Sequence, residues 1–173
     1  MTITEISTNR PAVYVGTFAK YNAGSIGGAW LKLDDYTDRE EFLEACAKLH
    51  SDESDPELMF QDFENFPKKF YSEGDISDEL FEFLEMDEDD RQIVEMFWDN
   101  IDKTADADRA LEAYQGFYKS EEDWAWEVLE DWGILASIPE QYQCYFDAEA
   151  WMRDQYMSFV RTSQGVHVFD NNF

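Results

Sequence analysis

Carboxylates are the side chains through which this sequence could do chemistry. Its 173 residues contain 40 Asp and Glu against 13 Lys and Arg, which gives a formal net charge of −27. Oxygen-rich loops bind calcium, and the stretch 102–113 (DKTADADRALEA) has oxygen-bearing side chains at alternate positions. An EF-hand loop, however, needs glycine at its sixth position and glutamate at its twelfth, where this stretch has Ala107 and Ala113. We therefore expect no metal site and no cofactor.

Catalysis by a pair of carboxylates is the second chemistry that these residues could perform, as glycosidases do in a cleft. Acids are so numerous here that the sequence neither selects a pair nor excludes one. His50 and His167 have no evident Ser or Cys partner for a nucleophilic triad, and the isolated Cys46 and Cys144 form no CxxC zinc pair. We expect a protein that is not an enzyme, and the alternative is a carboxylate-pair hydrolase acting on carbohydrate.

The negative charge extends along the whole chain. Residues 1–62, 63–104 and 105–173 carry net charges of −7, −10 and −10. A content of 44% hydrophobic and 17% aromatic residues argues against an acidic disordered chain. Residues 73–90 contain ten acids and no base, which is about one charge per 2.7 Å in a helix, against about one per 3.4 Å in a DNA strand. Such a density fits either a solvated acidic face or an imitation of nucleic acid.

Hydrophobic patterning predicts an α+β fold. Runs of β-branched and aromatic residues predict strands, and apolar residues at helical spacing predict helices. A capping box of Thr37 and Glu40 is expected to open the first helix. Expected strands cover 12–18, 28–33 and 57–65 with a hairpin over 157–169, and expected helices cover 38–50, 75–85, 88–101, 105–117, 120–133 and 147–157. The expected inward residues are Ile76, Leu80, Phe83 and Leu84 on the second helix and Ile93, Phe97 and Ile101 on the third, with Val94 and Trp98 beside them.

Half of the eight glycines lie within residues 16–28, between two expected strands. Asn22 and Gly24 can adopt the left-handed backbone conformation in a turn that joins the strands. Gly27 and Gly28 would let the second strand approach another backbone closely. We interpret the cluster as part of the fold, because GSIGG lacks the spacing and the lysine of a phosphate-binding loop.

Three groups of residues occur in a specific order and spacing. The first surrounds the glycine cluster, the second lies in 114–131 (YQGFYKSEEDWAWEVLED) and the third in 145–156 (YFDAEAWMRDQY). The matching residues are Tyr14, Tyr21, Asn22, Gly24, Gly28, Trp30, Leu31, Gly116, Ser120, Asp123, Ala125, Phe146, Asp147, Ala150, Arg153 and Asp154. Together with a terminal Gly-x-His-x-Phe, they resemble the ArdA-type antirestriction proteins over about residues 12–169. The first eleven residues and the final DNNF have no counterpart in that family.

The resemblance implies an architecture and a role. ArdA-like proteins are elongated homodimers with three small domains per chain, and their surface carboxylates imitate the phosphates of bent B-form DNA. They occupy the DNA-binding groove of the methyltransferase core of type I restriction–modification enzymes and protect incoming mobile DNA. The resemblance thus implies an antirestriction protein. The sequence has no basic patches interleaved with aromatic residues, so we expect no direct binding of nucleic acid. With no export signal or membrane-spanning run evident, we expect it to be cytoplasmic.

The expected organisation follows the charge and the resemblance. A flexible terminus (1–11) precedes an α+β domain with a small sheet and a helix (12–62), an acidic helical middle domain (63–104) and a dimerising α+β domain (105–173). Candidate dimer contacts are Tyr114, Phe117, Tyr118, Trp124 and Trp126. Candidate partner-binding acids, which would stand in for phosphates, are Glu73, Asp75, Asp78, Glu79, Glu82, Glu85, Asp87, Glu88, Asp89, Asp90, Asp99, Asp102, Asp106, Asp108, Glu112, Glu121 and Glu122.

Overall fold

A computed structural model describes residues 10–172 and confirms an α+β protein with two small antiparallel sheets. The chain divides into two compact units, of which the first ends at Asp87 and the second begins at Glu88. The finer division into three domains stays a prediction, and the flexible terminus expected at residues 1–11 lies almost wholly outside the described residues. No helix within residues 10–172 is both long enough and apolar enough to cross a bilayer.

The first unit combines a three-stranded sheet with one long helix and two short ones, of which the second is acidic. Its strands lie in the order β2 (Ala29–Lys32), β1 (Ala12–Thr17), β3 (Leu58–Glu64), and both pairings are antiparallel. The strands expected at 12–18, 28–33 and 57–65 are confirmed to within a residue or two at each end. The elements are β1 (Ala12–Thr17), α1 (Phe18–Asn22), β2 (Ala29–Lys32), α2 (Arg39–Leu49), β3 (Leu58–Glu64) and α3 (Asp78–Glu85).

Aromatic rings fill the core of the first unit. Val13 and Val15 of β1 are fully buried, and so is Phe42 of α2. The Phe42 ring lies 5.9 Å from that of Phe60 and 6.0 Å from that of Phe81, measured between centroids. Aromatic pairs at such distances add stabilisation beyond their buried area. The sheet, α2 and α3 therefore share one core, which fixes where the acidic helix α3 begins.

The first long helix begins one residue later than expected. Asp38, not Thr37, is its N-cap, and the Asp38 side chain accepts a hydrogen bond from the Glu41 backbone N–H. Glu41, not Glu40, reaches back, and its carboxylate accepts from the backbone N–H and the hydroxyl of Thr37. The sequence holds two overlapping cap patterns, and the fold uses the second.

The glycine cluster serves the fold, although not through a simple two-strand turn. A short helix, α1, follows β1 directly, and Asn22 ends it without a left-handed conformation. Gly24 does adopt that conformation, with φ +75°. At Gly28 a Cβ atom would lie 2.2 Å from the carbonyl oxygen of Val15. The expected close approach of two backbones is therefore confirmed at Gly28.

The second unit packs helices against a sheet whose strands lie in the order β4 (Tyr114–Tyr118), β6 (Val166–Asp170), β5 (Met157–Arg161). The terminal hairpin is confirmed as β5 and β6. The helix expected over 105–117 is wrong in its last part, because it ends at Ala113 and β4 follows at once. The elements are α4 (Glu88–Asn100), α5 (Ala107–Ala113), β4 (Tyr114–Tyr118), α6 (Glu121–Asp131), α7 (Glu140–Gln143), α8 (Ala148–Arg153), β5 (Met157–Arg161) and β6 (Val166–Asp170).

The second unit has its core between α6, α8 and the sheet. Trp124 of α6 is 2% exposed, and its ring stacks on that of Trp151 with 5.9 Å between centroids. Val166 and Val168 of β6 belong to the same buried cluster. On α4, Phe97 is fully buried, and its ring lies 5.5 Å from that of Phe169, measured between centroids. Trp124 is therefore part of the core.

The inward faces of α3 and α4 differ in detail from the expectation. Ile76 is fully buried but precedes α3, which begins after its N-cap Ser77. Phe81 takes an inward position on α3 that the sequence had not indicated, while Leu84 is half-buried. On α4 the buried side chains are those of Val94, Phe97 and Trp98. Ile93, and Ile101 just after the helix, were expected to point inward but are half-buried.

Candidate partner-binding surface

The acidic side chains of α3 form a stripe, which we call the α3 stripe. Its members are Asp78, Glu79, Glu82 and Glu85. They recur at helical spacing on the exposed side of α3, whereas Leu80, Phe81 and Phe83 are buried on the other side. From the first to the last acid the helix rises about 10.5 Å, so the charges average about one per 3.5 Å of axis. One DNA strand presents about one per 3.4 Å.

Two of the candidate acids are joined to a base of α2. The guanidinium of Arg39 lies 2.5 Å from an Asp75 carboxylate oxygen and 3.9 Å from one of Asp78. The same side chain donates from Nε to the carbonyl oxygen of Ile76 at 2.8 Å. Asp75 and Asp78 nonetheless remain exposed to solvent. Glu73 is exposed in the turn before α3, and its carbonyl oxygen accepts from the Phe60 N–H at 2.8 Å.

Five more candidate acids lie at α4. Asp87 directly precedes the helix, and the other four belong to it. Glu88, Asp89 and Asp90 occupy the first turn of α4, where negative charge interacts favourably with the helix dipole. Asp87 and Asp99 are exposed, and Asp90 is half-buried. These positions fit the expectation of a dense acidic surface.

Glu95 is an exposed acid of α4 that the sequence-based list omits. Burial, and secondarily the charge of Asp99 one helical turn away, raise the pKa of the Glu95 carboxyl, and Arg91 opposes them. Glu95 is recognisable from the sequence, because it continues the helical spacing that starts at Glu88 and ends at Asp99.

The candidate acids around α5 have local structural partners as well as exposure. The Asp106 carboxylate caps α5 by accepting from the Arg109 N–H at 2.8 Å. Asp102, which is half-buried, accepts from the N–H and the hydroxyl of Thr104. Asp108 and Glu112 are exposed on α5. The acids of this region therefore both shape the backbone and add to the surface charge.

The acidic face of α6 is longer than the candidate list suggests. Glu121 is half-buried and forms an ion pair with Arg161, whereas Glu122 is exposed. Further along the helix, four more acids are exposed: Asp123, Glu127, Glu130 and Asp131. Their spacing of three or four residues was the available signal, and it places them away from the buried Trp124 and Leu129.

Ion pairs join acids of the first unit's amino-terminal part to bases that lie far away in the sequence. Arg10 donates two hydrogen bonds to the Asp34 carboxylate, at 2.7 and 2.6 Å, and a further one to Asp35. These bonds hold the pKa of Asp34 below its usual value. Lys20 lies 2.9 Å from Asp52, which lowers the pKa of that carboxyl in the same way. None of these acids belongs to the candidate list.

The five candidate dimer contacts separate into surface and core. Phe117 and Trp126 are 46% and 37% exposed. Tyr114 and Tyr118 are half-buried, and the Tyr114 hydroxyl lies 3.1 Å from Nδ1 of His167. Trp124 contributes its whole ring to the core of the second unit. As placed, Trp124 is not available to a partner.

An open cleft of about 970 Å³ lies in the second unit, between the start of α6, the segment before α8 and the β5–β6 hairpin. Glu121, Glu122, Trp126 and Arg161 line it, and Glu95 does not. A carboxyl of raised pKa beside a Trp in a pocket would favour the hydrolase alternative. The pKa of Glu95 is raised, but Glu95 does not line this cleft. Among residues 10–172, no cluster of three or more His, Cys, Asp or Glu side chains could hold a metal ion.

Comparison with known proteins identifies a family for this arrangement. The model of the family described as antirestriction protein (ArdA) matches residues 13–168. This range covers most of the chain and includes the α3 stripe, α4 and α6. The search of curated proteins gives no match.

Proposed function

Because the chain belongs to the ArdA family of antirestriction proteins, we propose that it inhibits type I restriction–modification enzymes by binding them in place of DNA. Membership of the family implies interaction with restriction enzymes in general. The proposal is narrower, since it names the type I class and the DNA-binding groove of the methyltransferase core. Incoming mobile DNA would be protected while that groove is occupied.

The observation that carries the proposal is the α3 stripe. Its axial charge density is close to that of one DNA strand, at about 3.5 Å against about 3.4 Å per charge. A groove that binds DNA collects phosphates mainly through Lys and Arg side chains, and carboxylates can accept the same charge-assisted hydrogen bonds. The further exposed acids of α4 and α6 extend this chemistry over the second unit.

Inhibition by this route needs no reaction at the protein's own side chains. Fourteen of the seventeen candidate acids are exposed, and an exposed ion pair contributes typically less than about 1 kcal/mol. Affinity would then come from many weak contacts. Loss of inhibition through one substitution, with the fold intact, would instead point to a discrete binding or catalytic site.

We also propose that the protein acts as a homodimer through its second unit, as the resemblance implies. Phe117 and Trp126 supply exposed aromatic rings for such a contact, with Tyr114 and Tyr118 beside them in the sequence. Phe117→Asp should lower the molar mass measured by light scattering from that of two chains toward that of one. Trp30→Asp, an exposed aromatic residue of the first unit, is the matched control and should leave the mass unchanged. A monomeric wild-type protein at micromolar concentration would contradict this part.

A restriction-protection assay tests the function itself. Unmodified plasmid DNA is incubated with a purified type I restriction–modification enzyme and increasing amounts of the protein. We expect complete protection at a ratio near the stoichiometry of binding sites, and no protection from a type II enzyme in a parallel reaction. Cleavage by the type I enzyme at saturating protein would overturn the proposal.

A further inference from the structure

Arg39 is a base whose contacts all lie on one short segment of the first unit. It stands at the first position of α2, and its side chain is 31% exposed. Its guanidinium donates to the Asp75 carboxylate at 2.5 Å and to the Ile76 carbonyl at 2.8 Å, and it lies 3.9 Å from the Asp78 carboxylate. The planar fork of arginine suits such a set of acceptors, whereas the point charge of lysine does not.

The segment bound by Arg39 leads directly into the acidic helix. On its other side, residues 71–77 are joined to β3, because the Phe60 N–H donates to the Glu73 carbonyl and the Tyr71 hydroxyl donates to the Phe60 carbonyl, both at 2.8 Å. Ile76 anchors the middle of the segment in the core, where it is fully buried. Ser77 then caps α3. The contacts of Arg39 complete the attachment on the side of α2.

We propose that Arg39 is a positioning residue for the α3 stripe: it holds the start of α3 in place, so that Glu79, Glu82 and Glu85 are presented to the partner in a fixed array. Asp75, which accepts a hydrogen bond from Arg39, then serves mainly as the anchor, whereas Asp78, 3.9 Å away, keeps its place in the α3 stripe. The expected effect on inhibition rests on the proposed function, whereas the positioning of α3 by Arg39 does not.

The direction in which R39Q changes the affinity distinguishes a role of Arg39 in positioning α3 from an effect of net charge. Replacing Arg39 with Gln makes the protein more negative by one charge and frees two carboxylates. If affinity for a basic groove depended on net charge alone, R39Q would bind as tightly as the wild type or more tightly. If the array must be held in place, R39Q should bind more weakly despite its greater negative charge. The start of α3 must then lose conformational entropy on binding, which lowers the affinity.

Lys48 offers a matched control on the same helix. It is 78% exposed and pairs at 3.4 Å with Glu44, one turn away on α2 itself. K48Q therefore makes the same change of charge without touching the segment before α3. R39K keeps the charge but loses the fork.

The experiment compares wild type, R39Q, R39K and K48Q by two readouts. The first is the protein concentration that halves cleavage by the type I enzyme; the second is amide hydrogen exchange in the first turn of α3. We expect R39Q to inhibit about 5-fold more weakly, equivalent to the upper range for exposed ion pairs, with R39K between it and the wild type. K48Q should inhibit at least as well as the wild type. Exchange at Glu79 and Leu80 should be faster in R39Q alone, relative to the amides of α2.

Two results would overturn the inference. One is inhibition by R39Q that equals or exceeds that of the wild type; the other is unchanged exchange in α3. If no form of the protein, wild type included, inhibits the type I enzyme, the proposed function fails, and the exchange data still decide whether Arg39 positions α3. Circular dichroism melting of each variant establishes that the exchange in R39Q reflects α3 and not loss of the whole unit.

Discussion

The two units carry the same number of acids but connect them differently. Residues 1–87 and 88–173 each contain twenty Asp and Glu, with net charges of −13 and −14. In the first unit, Arg10, Lys20 and Arg39 each lie beside two carboxylates that are more than twenty positions away in the sequence. The fold thus brings base and acid together there, and part of the negative charge stabilises the structure.

In the second unit more of the acids lie along helix faces. Glu149 pairs with Arg153 one turn away, and Glu121 pairs with Arg161. Glu95 and Asp99 instead lie one turn apart with like charge, and burial, together with the charge of Asp99, raises the pKa of the Glu95 carboxyl. The difference between the units shows that net charge does not identify the acids that are available to a partner. Those acids are identified by whether the fold pairs them with a base.

The largest effect should come from neutralising exposed acids of the α3 stripe that are not among the ion pairs described above. The triple variant E79Q/E82Q/E85Q removes three charges of the α3 stripe and should weaken inhibition of a type I enzyme by on the order of 10-fold, since each exposed contact is worth up to about 1 kcal/mol. Each single substitution should cost much less. Half-inhibitory concentrations measured at constant salt provide the comparison.

The matched control removes three charges that already have bases. D34N/D35N/D52N changes the net charge equally, but these acids pair with Arg10 and Lys20. We expect a smaller loss of inhibition per charge and a lower melting temperature. Equal inhibition by the two triple variants, both folded, would mean that only total charge matters and that the distinction between the units has no functional meaning.

The second effect concerns stability of the first unit in acid. The folded-state pKa of Asp34 is lowered, so its ionised form contributes stability that is present above the unfolded-state pKa and is lost as pH falls through the folded-state value. D34N should therefore lower the melting temperature by a few degrees at pH 7, and the difference should vanish in strong acid. D55N, at an exposed position of the same unit, is the control. A difference that persists unchanged in acid would contradict the assignment to the Arg10 pair.

The smallest effect has the opposite sign and lies in the second unit. The folded-state pKa of Glu95 is raised, so its ionised form destabilises the fold at neutral pH, and this penalty is relieved as pH falls through the raised value. E95Q should raise the melting temperature at pH 7 by at most a few degrees, because the side chain is exposed enough for solvent to screen it. The gain should shrink on acidification.

Glu88 supplies the control for that measurement. It lies in the first turn of α4, where negative charge is favourable, so E88Q should leave the melting temperature unchanged or lower it slightly. A lower melting temperature for E95Q than for the wild type at pH 7 would show that burial and like charge do not destabilise the ionised form of Glu95.

Most elements of the fold could be predicted because their signals are local. The β-branched run of β1 and the apolar spacing of α6 each specify one type of element. The end of α5 could not be predicted in this way, because Tyr114–Tyr118 joins the sheet through pairing with β6 about fifty residues later. Gly116, with φ +131°, marks the irregularity in that strand. Long-range pairing here overrides a helical pattern.

The candidate surface was predictable in composition and less so in detail. The exposure of the α3 stripe follows from helical spacing alone. The pairing of Asp75 with Arg39, 36 positions away, does not. Neither does the burial of Trp124, since Trp126 on the same helix is exposed. Glu95 and the later acids of α6 were missed although their spacing was visible.

The central claim, that carboxylates occupy the place of phosphates, is tested most directly by competition at varied salt. Labelled DNA is bound to the methyltransferase core of a type I enzyme and displaced with this protein over a range of salt concentrations. Binding of DNA weakens with a log–log slope of about −0.9 per phosphate neutralised, since condensed counterions are released. A folded chain with a net charge of −27 has a more dispersed field, so we predict full displacement of DNA and a shallower but clearly negative slope for the protein. Simultaneous binding of both, or affinity independent of salt, would contradict the account.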